Sequence, residues 1–180
     1  YASSKVQAEE YLAGTNSIIF RLGTLFGISD EFSRIRLDLV VNILVTKALS
    51  EGKLTVFGGE QWRPLLHVND VANAINHNLE SDTTGIFNLH YKNFKIIDIA
   101  QEIIKKIPSA TIETTPMKFQ DARNYQVSSE KILNDTGFKA EISLSTGINE
   151  IFELISNKRI KNINHKRYSN QNFLEENGIV

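Results

Sequence analysis

The chain has 180 residues, of which 41% are hydrophobic and 23% are charged, a balance typical of a globular protein. Its 20 Lys and Arg residues nearly match its 21 Asp and Glu residues, and the net charge of −1 gives no reason to expect nucleic acid or a membrane surface as a partner. There is no cysteine, and the four histidines lack the HExxH spacing of helical metal sites. We therefore expect no metal centre.

No segment predicts a membrane span or a targeting signal. The longest apolar stretch, residues 37–49, is interrupted by polar and charged side chains and falls short of the roughly 18 to 20 apolar residues that a spanning helix needs. The amino terminus does not combine a basic stretch with an apolar one, and it begins with Tyr1. We expect a cytoplasmic protein, and we expect the chain to have been cut from something longer.

The predicted elements alternate between helices and strands, which favours an α/β fold. In chain order they are a helix over 3–12, a strand over 17–22, a loop over 27–36, a helix over 37–49, strands over 54–57 and 65–68, a helix to about residue 79, a strand over 85–90, a helix over 96–107, a strand over 110–115, and helices over 128–136 and 146–155. In the first helix we expect Val6, Tyr11 and Ala13 to face a core. The polar tail, 157–180, is expected to be a loosely packed extension.

The motif with the most chemistry lies at the start of the first helix. Tyr1 and Lys5 are four residues apart, so both side chains project from one face about one turn apart. A phenol with a pKa near 10 is a poor base at neutral pH, but an ammonium close to it favours the phenolate. Because any surface helix can carry a YxxxK pair by chance, the motif needs support from the surrounding sequence.

That support comes from five landmarks in a fixed order. They are YASSK at 1–5, RLGTLFG at 21–27, LTVFG at 54–58, RPLLHVNDVA at 63–72 and GIFNL at 85–89. In this order they resemble the extended short-chain dehydrogenase/reductase family, and within it the NAD-dependent nucleotide-sugar epimerases and dehydratases. The resemblance covers about residues 1–155.

The resemblance implies the carboxy-terminal part of an NAD(P)-binding Rossmann-type doubly wound sheet, together with a smaller α/β substrate-binding domain. On this reading, residues 1–36 and 64–92 belong to the Rossmann-type domain. Residues 37–63 and 93–156 form the substrate-binding domain, and 157–180 is a polar tail.

The resemblance also implies roles for the YxxxK pair. Tyr1 matches the catalytic acid/base, and Lys5 matches the lysine that lowers its pKa and hydrogen-bonds the nicotinamide ribose, so both contact the cofactor, NAD or NADP. Lowering the phenol pKa by two to three units needs about 3 to 4 kcal/mol, which a lysine and a positively charged nicotinamide ring can supply in a partly dry pocket. The tyrosine then exchanges a proton with a sugar hydroxyl while hydride moves to or from the cofactor.

Four further residues match substrate-binding positions of the family. Arg63 and Arg123 match arginines that pair with the substrate diphosphate, a task suited to a planar guanidinium; the alternative for Arg63 is a surface ion pair. Phe57 matches a position that packs near the nucleotide base, although a strand residue can equally belong to the core. Thr24 replaces an asparagine that contacts the substrate in many relatives.

His67 and Asp70 are residue types that suggest a second acid/base pair besides Tyr1 and Lys5. We interpret Asp70 as a helix N-cap, with Asn69 as the other candidate, and His67 as a packed strand residue. The chain departs from the family pattern at Pro64 and at 90–92, where many relatives have a Gly-Ser-Gly turn. These departures affect the assignment to a subfamily, not the assignment to the family.

Family features that precede the tyrosine are missing from the 180 residues. No GxxGxxG or GxGxxG turn is present to receive a pyrophosphate, and the family's catalytic Ser or Thr also lies upstream of the tyrosine. We therefore expect the chain to be the carboxy-terminal half of an enzyme, inactive alone, with an uncovered sheet edge and helix face. By resemblance, the intact protein is expected to form a homodimer.

Three hypotheses follow. The first is an epimerase or dehydratase of nucleotide sugars that regenerates NAD within each cycle. The second is a related reductase that consumes NADPH. The third is a non-catalytic binding module of the same fold, against which the presence of both Tyr1 and Lys5 argues.

Overall fold

Seven helices and seven strands alternate along the part of the chain that the computed structural model describes, residues 2–30, 33–116 and 123–178. They are α1 (Ala2–Leu12), β1 (Ile18–Leu22), β2 (Thr24–Phe26), α2 (Val40–Glu51), β3 (Lys53–Phe57), β4 (Trp62–His67), α3 (Val68–His77), β5 (Gly85–Leu89), β6 (Lys92–Lys95), α4 (Ile96–Lys106), β7 (Thr111–Thr115), α5 (Glu130–Thr136), α6 (Leu144–Ser156) and α7 (Asn170–Glu176), with a 3₁₀ turn at Lys166–Tyr168. Within these ranges, no helix has the length and apolarity needed to cross a bilayer.

The strands form three small sheets in which parallel pairing dominates. β1 pairs with β5, β2 with β4, and β3 with β7, all in parallel, while β6 runs antiparallel to β4. The N–H of Gly23 donates to the carbonyl of Leu89 at 2.8 Å, and that of Tyr91 donates to Leu65 at 2.7 Å, so backbone hydrogen bonds connect the first two sheets. The predicted α/β class is confirmed.

The larger hydrophobic core lies between the three longest amphipathic helices and the strands beside them. In α4 the buried residues Ile96, Ile99, Ala100 and Ile103 follow the i, i+3, i+4, i+7 spacing of one helix face. This face packs with the buried residues of α2 and α6. A second cluster, centred on Phe87, lies between β5 and α5. The first cluster is therefore the core of the layer built around α2 and α4, and the second is the core of the layer that contains β1 and β5.

Helix α1 lies on the surface of the described chain. Val6 is 53% exposed and Tyr11 is 85% exposed, Ala13 is exposed as well, and α1 buries no residue, so the prediction that these side chains face a core is wrong within the described residues. A two-point ion pair between Glu9 and Arg21 holds the helix against β1, with nitrogen–oxygen distances of 2.8 and 2.5 Å. These hydrogen bonds lower the pKa of the Glu9 carboxyl.

The carboxy-terminal tail is docked, contrary to the prediction of a loosely packed extension. Ile160 is 6% exposed and packs with Leu37 and Leu154. The N–H of Leu37 donates to the carbonyl of Tyr168 at 2.9 Å. The tail lacks a helical period over most of its length because its contacts are single anchor residues between polar turns.

Candidate functional site

A groove lies between α2 and the strands β3 and β4. Its volume is about 210 Å³, and its walls are mainly aliphatic side chains from α2. The polar and aromatic residues that line it are Lys47, Thr55, Phe57, Gln61 and Arg63. We call this cavity the α2 groove. A mainly apolar wall with a few polar groups is typical of a small-molecule site.

Arg63 enters the α2 groove from β4 and is only 4% exposed, so the alternative of a surface ion pair is wrong. Its Nη1 donates to the carbonyl of Trp62 at 2.7 Å and to the carbonyl of Arg123. A buried guanidinium needs partners for its five N–H groups, and backbone carbonyls meet part of that need without neutralising the charge. The groove therefore combines a mainly aliphatic wall with the buried guanidinium of Arg63 and with Lys47.

Phe57 lies at the edge of the α2 groove, at the end of β3. Along this strand Leu54 and Val56 point into the core, so the strand period of two directs Phe57 to the opposite side, where it is 50% exposed. The alternative that Phe57 is a core residue is therefore wrong. An exposed aromatic ring beside a buried cation is suited to stacking on a planar ligand.

Arg123 approaches the groove through its backbone. Its carbonyl accepts from Arg63, and the neighbouring Asn124 Oδ1 accepts the N–H of Trp62 at 3.0 Å. These bonds hold the segment that begins at Arg123 along the start of β4, while the Arg123 side chain is exposed. The structure thus brings Phe57, Arg63 and Arg123 into one region.

The other predicted site residues lie elsewhere. Thr24 is half-buried in β2, where it pairs with Leu65, and Lys5 is exposed on α1. Neither is among the described residues that line the α2 groove. Tyr1 lies outside the described residues, so the geometry of the Tyr1–Lys5 pair stays a prediction.

His67 is a fully buried residue at the end of β4, which confirms its interpretation as a packed strand residue. It is also the N-cap of α3, because its Nδ1 accepts the N–H of Asn69 at 3.2 Å. The other nitrogen, Nε2, therefore carries the proton and donates to Glu150 Oε2 at 2.8 Å. The prediction that Asn69 or Asp70 caps the helix is wrong.

Asp70 has a different structural task. It is 2% exposed, and its Oδ2 accepts the backbone N–H groups of Glu141 and Ile142 at 3.1 and 2.9 Å. The carboxylate therefore fixes the connection that leads into α6 against α3. The side chains of His67 and Asp70 therefore both form hydrogen bonds within the protein.

The first half of the chain matches a known family. Residues 1–89 match the model described as the NAD dependent epimerase/dehydratase family. The family resemblance predicted from the sequence is confirmed. The match includes α1 with the YxxxK motif and the strands that contribute Phe57 and Arg63, and it ends with β5.

Individual epimerase/dehydratase relatives agree with this. UDP-glucuronic acid decarboxylase 1 from Arabidopsis thaliana is 30% identical over 113 residues, which cover 61% of this chain and 26% of that protein. Two solved structures share the fold at 22% identity: dTDP-glucose 4,6-dehydratase from Bacillus anthracis in complex with NAD, with a TM-score of 0.69, and UDP-glucuronic acid 4-epimerase from Bacillus cereus in complex with UDP-glucuronic acid and NAD, with a TM-score of 0.71.

The chain covers part of each relative. It spans about a quarter of the length of the plant decarboxylase and about half of each solved structure, 50% and 51%, while 87% of this chain is covered in both comparisons.

Sequence analysis missed two polar residues of the α2 groove, Lys47 and Gln61. Lys47 occupies an ordinary polar position within an amphipathic helix, and no local pattern separates it from a solvated lysine. Gln61 bridges the turn after β3, with its Oε1 accepting the N–H of Gly59 and its Nε2 donating to the carbonyl of Phe57, both at 2.7 Å. Only the packing of α2 against β3 and β4 identifies these two residues as part of the groove.

His90 occupies the departure from the family's glycine turn. It follows β5, beside Gly23, and it lines a second cavity of about 300 Å³ next to α5. Its Nδ1 lies 2.5 Å from Ser129 Oγ, which also accepts the backbone N–H of His90 at 3.0 Å. Burial lowers the pKa of the His90 imidazole.

This lowered pKa predicts a pH-dependent stability. Because the folded-state pKa lies below the unfolded value of 6.5, the unfolded chain binds the proton more readily. The contribution of neutral His90 is present above about pH 6.5 and is lost as the pH falls towards the folded pKa. The free energy of unfolding, measured by urea titration at pH 7.5 and 5.0, should decrease more in the wild type than in His90→Gln.

An equal loss of stability in the wild type and in His90→Gln would contradict the prediction.

Proposed function

We propose that the protein is an NAD-dependent enzyme that acts on a nucleotide sugar, as an epimerase or dehydratase. One observation carries this proposal: the α2 groove combines the buried cation of Arg63 with the exposed ring of Phe57. A nucleotide sugar presents the complementary features, a planar base and a diphosphate. The solved complexes with UDP-glucuronic acid support this substrate class.

In this proposal the groove residues bind the nucleotide half of the substrate. Phe57 stacks on the base, and Arg63 pairs with the diphosphate, with Lys47 as a second cation in the same groove. Arg123, held beside Arg63 through its carbonyl, is the second arginine that we assign to the diphosphate. Thr24, the first residue of β2, contributes a hydroxyl to the substrate. Binding energy from this half would then hold the sugar in a fixed orientation for reaction.

The acid/base step belongs to Tyr1 and Lys5. Lys5 is exposed on α1 and stands four residues after Tyr1 in the sequence, a spacing of about one helical turn. NAD, when bound, accepts and returns hydride. The ammonium of Lys5 stabilises Tyr1 as the phenolate, and this phenolate takes the proton from a sugar hydroxyl and becomes a neutral phenol.

Two alternatives remain distinct from this proposal. A reductase of the same family would consume NADPH in proportion to product, whereas an epimerase or dehydratase regenerates NAD within each cycle. A non-catalytic module would bind nucleotide in the α2 groove without turnover. The Arabidopsis relative, named a UDP-glucuronic acid decarboxylase, supports a UDP-sugar as the first substrate to test.

The test is an activity assay on the purified full-length protein. It is incubated with NAD and a panel of UDP-, dTDP-, GDP- and CDP-sugars, and products are resolved by chromatography and mass spectrometry. Conversion without net NADH formation supports the proposal, and conversion that requires stoichiometric NADPH supports the reductase. A protein that neither retains NAD nor changes any of these sugars contradicts the enzyme hypothesis.

A substitution in the groove tests the role of Arg63. Arg63→Lys keeps the charge but removes the planar fork that pairs with a diphosphate in two places, so we expect the dissociation constant for UDP to rise about 10- to 100-fold. Isothermal titration calorimetry measures this constant. The matched control is Arg21→Lys on β1, outside the groove, which should leave UDP affinity unchanged. Equal affinities of wild type and Arg63→Lys, with both proteins folded, would exclude Arg63 as a diphosphate ligand.

Three broader predictions belong to the same proposal. We propose that 1–36 and 64–92 belong to the cofactor-binding domain and that 37–63 and 93–156 form the substrate-binding domain. We also propose a homodimer and a cytoplasmic location, both from the family resemblance alone.

A further inference from the structure

The carboxy-terminal segment 160–176, which we call the strap, packs against the loop that leads into α2. That loop, residues 34–38, forms a small hydrophobic cluster with the strap through Leu37 and Ile160. The strap consists of a 3₁₀ turn and the short helix α7, joined at Ser169. Its contacts with residues more than 120 positions earlier make it an integral part of the fold.

Arg34 and Asp38 make the polar contacts between the loop and the strap. Arg34 donates to the carbonyl of Arg167 at 3.0 Å and to Asn170 Oδ1 at 2.7 Å, and its guanidinium lies 4.5 Å above the ring of Phe173. Asp38 Oδ2 accepts the backbone N–H of Asn170 at 2.8 Å. Arg34 and Asp38 thus bind the strap on both sides of Ser169, at Arg167 and at Asn170.

Asp38 is held in place from the loop side as well. Arg36 donates to both of its carboxylate oxygens at 2.9 Å. Partial burial by itself raises the pKa of Asp38, but the hydrogen bonds from Arg36 and Asn170 outweigh it, and the net shift lowers the pKa. The carboxylate is therefore ionised at neutral pH and accepts three hydrogen bonds.

The loop is in turn fixed to α2. Asn42, fully buried in the first turn of this helix, donates to the carbonyl of Arg36 at 2.7 Å. The same helix presents Ile43 and Lys47 to the α2 groove and also to a second groove, of about 280 Å³, between α2 and the strap. The strap and the α2 groove therefore share two side chains of one helix.

We infer that the strap positions α2 for nucleotide binding, with Arg34 and Asp38 as positioning residues. This inference rests on the proposed nucleotide-sugar function of the α2 groove. When the strap is docked, Ile43 and Lys47 are held between the two grooves, so α2 presents a fixed wall to the ligand. Undocking removes one side of that support and lowers affinity for the nucleotide. By linkage, a nucleotide in the α2 groove stabilises the docked strap to the same extent.

Two measurements on the full-length protein test this, with UDP as the probe. Arg34→Ala removes the hydrogen bonds and the ring contact, so we expect the UDP dissociation constant to rise about 10-fold. Arg34→Lys keeps a cation above Phe173 and should recover part of the affinity. Hydrogen exchange of 160–176 should be faster in Arg34→Ala, and it should be slowed by UDP in the wild type. Lys161→Ala, an exposed cation in the same segment, is the matched control and should change neither.

The outcomes separate the inference from the proposed function. If the wild type binds no UDP, the proposed function of the groove is wrong, and the coupling is wrong with it. If the wild type binds UDP, but Arg34→Ala speeds exchange in the strap without changing UDP affinity, only the coupling is wrong. Exchange in α4 reports whether the variant is folded, and Asp38→Asn provides a second variant with the same expected direction if Arg34→Ala unfolds.

Discussion

Replacing Tyr1 with phenylalanine should lower kcat about 100- to 10,000-fold, which is the usual contribution of a positioned acid/base. The substitution removes one oxygen atom and leaves the ring, so NAD and UDP-sugar binding should be retained. Steady-state turnover of the full-length protein, together with a separate measurement of NAD retention, checks this result. Tyr11→Phe is the matched control, because Tyr11 lies on α1 and is 85% exposed.

Lys5→Met probes the electrostatic half of the same mechanism. The ammonium supplies part of the two-to-three-unit lowering of the phenol pKa and the nicotinamide ring the rest, so loss of the ammonium should shift the rise of kcat with pH upwards by a fraction of that amount. Lys5→Arg, which keeps the charge, should shift it less. Unchanged turnover in Tyr1→Phe would show that another group moves the proton, and an unshifted pH profile in Lys5→Met would show that Lys5 does not lower the phenol pKa.

Long amphipathic helices and the parallel strands were predictable because each has a clear period. The apolar positions of α2, α4 and α6 identify their buried faces directly. The short strand β2 was missed because three residues cannot establish a period, and β6 because its side chains alternate weakly. The antiparallel pairing of β6 with β4 joins residues about 30 positions apart, which no local pattern predicts.

The site was predictable only where a family landmark covers it. Phe57 and Arg63 each lie within such a landmark, and the structure brings them together in the α2 groove. Lys47 has no landmark, and the hydrogen bond from His67 to Glu150 joins residues 83 positions apart. Contacts at that separation are set by how α6 packs against β4, which no local pattern in the sequence determines.

The second large effect is expected at Gly27, where β2 ends. This residue has a φ of +85°, and a Cβ added to it would overlap the imidazole of His67; the farthest of the three nearest ring atoms, Cε1, would be only 2.8 Å away. The ring cannot easily move, since His67 is fully buried and hydrogen-bonded through both nitrogens. The backbone of Gly27 is also fixed, because Asn42 accepts its N–H at 3.1 Å and donates to its carbonyl at 2.9 Å.

Gly27→Ala should therefore lower the free energy of unfolding by about 2 to 5 kcal/mol, the sum of a left-handed backbone cost and an overpacking cost. Urea titration followed by circular dichroism measures the change. Gly14→Ala separates the two costs, because Gly14 has a φ of +76° but no heavy atom within 4 Å of an added Cβ, so only the backbone cost of about 1 to 2 kcal/mol remains. If both variants lost the same stability, the overlap with His67 would carry no cost, and the junction of β2, β4 and α6 would be looser than its hydrogen bonds indicate.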